Sequence, residues 1–287
     1  MHHSEIFIEY KSTEINADLK IPNHNNNVGL ILIHGGIMNR KSLSRENNCF
    51  AEYCCKELDA NVITSDIFGE TKINNKSLSS VNDVSDIINA NTDYLINNFG
   101  VDTIYCFGHS LGSMLLINSL KNLKDIDAIA TYGCPTSVEY ESLIMKIVTK
   151  YLRKMKKMMG KTFNMHNFEW VFDKETRNYY YKTMKLNEEY KTHMDKFEYD
   201  IEFILDIMDI ISNVENKILA WKNPALLLFG SHDTITRKSW NRYSNGYMCN
   251  NLVTGKIYRG HHITPCREEP FELNKLQPMI EFFKQQM

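Results

Sequence analysis

Residues 103–112 read TIYCFGHSLG, running from Thr103 through Gly108, His109, Ser110 and Leu111 to Gly112. The stretch 103–107 is short, apolar and aromatic, as in a buried strand. From Leu111 an apolar segment reads as a helix to about Leu120. Between them lies G-x-S-x-G. A serine on a sharp strand-to-helix turn exposes its hydroxyl, and small neighbours let that turn close. The helix that follows aims its unpaired N–H groups and positive dipole end at the same point. The pentapeptide alone arises by chance; a strand before it and a helix after it give it meaning.

The same alternation continues outward on both sides. Residues 6–10 and 15–21 read as strands of an antiparallel edge. Val28–Ile33 (VGLILI) is almost wholly apolar, as in strands covered on both faces, and ends in His34-Gly35-Gly36. A helix fits 42–58, with Phe50, Cys54 and Leu58 four residues apart on one face. Residues 61–64 form a strand ending near Asp66, and 81–99 a helix with Val84, Ile87, Ile88, Leu95 and Phe99 on its apolar side. Another strand fits 126–132. After Pro224 come a strand at 225–229, a loop at 230–236, a strand at 252–258 and a closing helix at 270–286. The stretch 135–223 breaks the pattern, being helix-like and rich in Met, Tyr and Lys. The expected class is α/β, a mostly parallel twisted sheet with helices on both faces. The expected division is a core in two parts, 1–134 and 224–287, with a helical cap inserted at 135–223.

Composition narrows the function. With 287 residues, 43% of them hydrophobic, the chain can bury a large core. A formal net charge of -2 lacks the positive field of a nucleic-acid binder. No apolar run reaches membrane-spanning length, and the N-terminus lacks the basic-then-apolar pattern of a secretion signal, so a cytoplasmic protein is expected. The seven cysteines are odd in number, include the adjacent pair Cys54-Cys55 and contain no C-x-x-C. They read as buried thiols in a reducing compartment, without a zinc site.

Partners for Ser110 are sought at the ends of the other strands. Gly230-Ser231-His232-Asp233 follows 225–229, and Asp233 is the candidate to accept from an imidazole N–H and fix its tautomer. Arg259-Gly260-His261-His262 follows the last strand. His261 comes directly after the glycine and is read as the general base, with His262 packing or bonding nearby. His34, His109, His166, His193 and His232 fit a structural role better. The order Ser110, Asp233, His261 is the one an α/β nucleophile elbow uses. A developing oxyanion needs two backbone N–H groups aimed at one point. Leu111 supplies one; Gly36, or else Ile37, supplies the other.

The chain resembles the α/β-hydrolase superfamily, specifically its capped esterase and lipase-like members. The residues that carry the resemblance are Leu32-Ile33-His34-Gly35-Gly36, Asp66-Ile67-Phe68-Gly69, Gly108-His109-Ser110-Leu111-Gly112, Gly230-Ser231-His232-Asp233 and Gly260-His261-His262. It covers nearly all of the chain outside the insertion. It implies a structural rather than chemical role for Asp66, and a cap over the site. Thr71 departs from the small residue many relatives place there.

The expected activity is cleavage of a carboxylic ester or thioester through an acyl-enzyme, with no metal or organic cofactor. A peptidase, amidase or acyltransferase using the same triad is the alternative. A non-catalytic binding protein on the same fold is a second, and the intact Ser110, Asp233 and His261 argue against it. The expected partner is a small acyl substrate with an apolar portion, held under a cap whose stretch 146–161 is basic and Met-rich. Neither nucleic acid nor integral membrane contact is expected, and the oligomeric state is left open.

Overall fold

The computed structural model describes residues 1–11, 13–24, 27–36, 38–44, 49–67, 81–135, 207, 209–211, 213–233, 236, 252–262, 264–266 and 273–287, with the short paired segments 72–73, 76–77, 163–164 and 198–199. Most of the expected cap, with its basic, Met-rich stretch 146–161, lies outside these residues, as do Ile37, Phe68, Gly69 and Thr71.

Eight strands form one sheet. They are β1 (His2–Tyr10), β2 (Thr13–Ile21), β3 (Val28–Ile33), β4 (Asn61–Ser65), β5 (Thr103–His109), β6 (Ala128–Tyr132), β7 (Ala225–Gly230) and β8 (Val253–Tyr258). Their order across the sheet is β1-β2-β4-β3-β5-β6-β7-β8. The β1–β2 hairpin joins antiparallel through β2 and β4. All later pairings are parallel, with Leu30 beside Val62 and Leu32 beside Phe107. The strands therefore end at one rim, where the loops after β3, β5, β7 and β8 meet.

The apolar runs are strands because both faces are covered. Every residue of β3 is buried, and successive side chains enter opposite cores. Ile31 and Ile33 join Ile104, Cys106, Ile129, Leu227 and Phe229 on one face. Leu30 and Leu32 join Tyr105, Phe107, Ala130, Leu226 and Leu228 on the other. The first face is closed by α2 (Val81–Phe99), α3 (Leu111–Ser119) and α4 (Val214–Ala220). The second is closed by α1 (Phe50–Leu58) and α5 (Gln277–Lys284), where Phe50 packs on Phe107 with centroids 4.8 Å apart and Phe283 stacks on Tyr105 at 4.6 Å.

Three boundaries differ from the sequence reading. The helix expected at 42–58 is a 3-10 turn at Arg40–Ser42 followed by α1, each with its own side-chain cap. The closing helix begins as a 3-10 turn at Asn274–Leu276, with 267–272 outside the described residues. Residues assigned to the insertion also pack on the sheet: Ile210, Val214 and Ile218 lie in the first core. Among the described residues no helix is long and apolar enough to cross a membrane.

Candidate active site

β5 delivers Ser110 onto a strained turn. Its backbone sits at φ 52° and ψ −118°, a region that costs about 1–3 kcal/mol and persists only where surroundings impose it. Ser110 N–H donates to the Tyr132 carbonyl at 2.9 Å, and the Ser110 carbonyl accepts from Ser113 N–H at 3.0 Å. Glycine is required on both sides of the turn. A Cβ on Gly108 would stand 2.6 Å from the Ser113 Cα, and one on Gly112 would stand 2.4 Å from the His34 carbonyl. Helix α3 can start directly after Ser110 and run tight against the end of β3 only because both side chains are absent.

Ser110 Oγ lies 2.7 Å from His262 Nε2, and His262 Nδ1 lies 2.8 Å from Asp233 Oδ2. A carboxylate can only accept, so Nδ1 carries the proton and Nε2 is left to accept from the serine hydroxyl. Asp233 is almost fully buried. Thr236 Oγ1–H donates to its Oδ2 at 2.6 Å, and Thr236 N–H donates to Oδ1 at 3.1 Å. Burial pushes the Asp233 carboxyl up, but the charge and hydrogen bond of His262, with the two from Thr236, outweigh it and hold the group below its ordinary value. Asp233 is thus the ionised partner that fixes the imidazole tautomer.

The geometry corrects the expected base. His261 is not the histidine at Ser110; His262 is. The reason lies in what Gly260 does. A Cβ on Gly230 would fall 2.4 Å from the Gly260 carbonyl, and one on Gly260 would fall 2.6 Å from the Tyr132 hydroxyl. Gly260 lets the chain after β8 cross close over the end of β7. Tyr132 O–H then donates to the His261 carbonyl at 3.0 Å, and Thr264 Oγ1 accepts from His261 N–H at 3.0 Å. So pinned, the His261 ring sits against His232, 5.2 Å between centroids, and the next ring enters the site.

The loop after β3 is equally fixed. His34 Nε2 accepts from Ile67 N–H at 3.2 Å, so Nδ1 bears the proton and donates to the Gly35 carbonyl at 3.0 Å. Arg40 anchors the far end of the loop. Its N–H and Nη1 donate to Asp66 at 2.8 and 2.6 Å, and its Nε lies 3.4 Å from Asp18. Asp66 and Asp18 are buried, and Asp66 makes the structural contacts expected of it. A Cβ on Gly35 would stand 3.3 Å from the Ser110 Cβ, which places this loop directly beside the serine. Gly36 follows in the loop, half-buried, and Leu111 occupies the first helical position after Ser110.

Two residues of the site escaped the sequence reading. Thr236 stands three residues after Asp233, a local side-chain-to-backbone turn that the D-x-x-T spacing signals. Gly133, just past β6, has φ +63°, and a Cβ there would lie 2.9 Å from His262 Nδ1 and 3.2 Å from Asp233 Oδ2. Only a glycine lets the imidazole–carboxylate pair occupy that place, and no sequence pattern marked it.

Comparison with known proteins agrees with this architecture. A family model described as "Serine aminopeptidase, S33" matches residues 64–259. No curated protein matches the chain. Among solved structures, a carboxyl esterase from Bacillus coagulans is similar with a TM-score of 0.74 at 11% identity, covering 99% of each chain. A soluble variant of the monoglyceride lipase of Saccharomyces cerevisiae, bound to a substrate analog, has a TM-score of 0.71 at 14% identity, covering 98% of this chain and 95% of that one. The monoacylglycerol lipase of Paleococcus ferrophilus has a TM-score of 0.66 at 15% identity, covering 96% and 100%. At such identities the likeness speaks to the fold.

Proposed function

The chain belongs to the serine aminopeptidase S33 family of α/β-hydrolases, and from that premise we propose that it is a carboxylic ester hydrolase acting through Ser110, His262 and Asp233. The observation that carries the proposal is the continuous hydrogen-bonded line from the Ser110 hydroxyl through the His262 ring to Asp233.

In this mechanism Ser110 Oγ attacks an acyl carbonyl while His262 Nε2 takes its proton. Asp233, ionised and held by Thr236, stabilises the imidazolium. The N–H groups of Leu111 and Gly36 receive the developing oxyanion, commonly the largest single contribution to such catalysis. His262 then protonates the leaving alkoxide. Water, deprotonated by the same nitrogen, releases the acid from the acyl-enzyme. The triad asks for no cofactor. The similar structures include a carboxyl esterase and two monoglyceride or monoacylglycerol lipases, which favours an acyl ester with an apolar portion. The family description favours a second reading, removal of an aminoacyl group by the same triad.

A fluorophosphonate probe followed by peptide mapping tests the nucleophile. Label on Ser110, lost in Ser110→Ala, is the expected result; label retained in that variant removes Ser110 from its role. p-Nitrophenyl esters of rising chain length, run beside aminoacyl p-nitroanilides, separate the two readings by their kcat/KM.

A further inference from the structure

His109, the variable position of G-x-S-x-G, is fully buried beside the triad. Its Nε2 lies 2.8 Å from the backbone carbonyl of His262. A carbonyl can only accept, so Nε2 carries the proton and Nδ1 presents a lone pair. Burial, reinforced by the nearby His262, lowers the His109 pKa to about 3, so the ring is neutral at neutral pH. The lone pair at Nδ1 faces the Cys266 thiol, 3.7 Å away. The same nitrogen lies under the loop after β3, 2.9 Å from where a Gly35 Cβ would be. One imidazole thus spans three parts of the site: the turn that carries Ser110, the backbone of the base, and the loop that carries Gly36.

The backbone of the base is held at two consecutive carbonyls, that of His261 by Tyr132 and Thr264 and that of His262 by His109. The first pin holds the residue whose ring packs on His232, and the second holds the residue whose ring faces Ser110. Residue 109 moves with residue 110, so a bond from 109 to the backbone of 262 ties nucleophile and base into one frame. Packing alone could fill this space with leucine; the N–H donor could not be replaced that way.

We propose that His109 is a positioning residue, which holds the His262 backbone through its Nε2–H and so fixes the Ser110–His262 distance. The inference rests on the triad reading above. His109→Gln can present a side-chain N–H toward the same carbonyl, whereas His109→Leu fills the volume without a donor. The acylation rate is read from the pre-steady-state burst with p-nitrophenyl acetate, and the His262–Asp233 proton from its low-field NMR resonance. The expectation is a loss of about tenfold or more in acylation for His109→Leu at an unchanged substrate dissociation constant, taken from the concentration dependence of the burst, with the resonance broadened or gone and most of both recovered in His109→Gln.

Thermal melting shows that each variant is folded. Should His109→Leu misfold, acylation by His109→Gln carries the test, because loss of rate with the resonance intact in that folded variant overturns the proposal. So does wild-type acylation by folded His109→Leu, or equal impairment of both folded variants. Absence of fluorophosphonate labelling at Ser110 in the wild-type protein instead sinks the triad reading itself.

Discussion

At the scale of single residues, the site divides adjacent histidines into one that reaches Ser110 and one that does not. His262→Ala is expected to lower kcat by at least a thousandfold, while His261→Ala stays within a few-fold, measured on the same ester. Gly133→Ala carries a double cost. Its positive φ penalises any L side chain by about 1–2 kcal/mol, and its methyl would press on the His262 ring and Asp233. Turnover should fall further than that stability loss explains, which denaturant titration beside kinetics will show. His109 makes a pH prediction. Its folded pKa of about 3 lies below the ordinary 6.5, so the unfolded chain binds a proton that the native chain refuses. Its contribution is complete above pH 6.5 and is lost as pH falls toward 3, with a slope of about 1.4 kcal/mol per pH unit. Urea midpoints measured down this range should fall less steeply in His109→Gln than in wild type.

At the scale of elements, the loop after β3 depends on a buried charge cluster. Arg40 holds Asp66 through two donors and stands beside Asp18, and both carboxylates are shut away from solvent. Arg40→Met would leave Asp66 buried without its main cation, at about 3 kcal/mol. Because the same arginine ends the loop carrying Gly36, acylation should slow as well; a stability loss with kcat untouched would detach this cluster from the site. The elements also mark what can be read before folding. Val28–Ile33 and 225–229 were legible because a strand covered on both faces has no solvent-facing positions, so its apolar run is unbroken. The start of α1 was not, because its cap is the Cys49 sulfur, which accepts from Glu52 N–H at 3.3 Å, a cap that residue preference does not flag. The choice between His261 and His262 was illegible for a different reason. It is made by Tyr132, more than a hundred residues away in sequence and visible only once β6 lies beside β7.

At the scale of the whole molecule, the two cores and the rim have separate duties. The cores hide nearly every described thiol: Cys49, Cys54, Cys55, Cys106 and Cys134 are buried and Cys266 is half-exposed. Burial also raises the Cys54, Cys55, Cys106 and Cys134 thiols, which keeps them protonated and unreactive. Brief treatment of the native protein with a maleimide should therefore modify Cys266 ahead of these five, as peptide mass spectrometry would read.

The rim joins residues distant in sequence, and this has a consequence for synthesis. Ser110 and His262 are 152 positions apart. During translation the elbow, its helix and the first sheet half emerge long before His262, the proposed acceptor of the serine's proton. A nascent chain stalled anywhere short of residue 262 exposes a hydroxyl with no imidazole behind it. On the proposed mechanism, hydrolytic power thus arrives all at once, when β8 docks beside β7 and brings His262 to the rim.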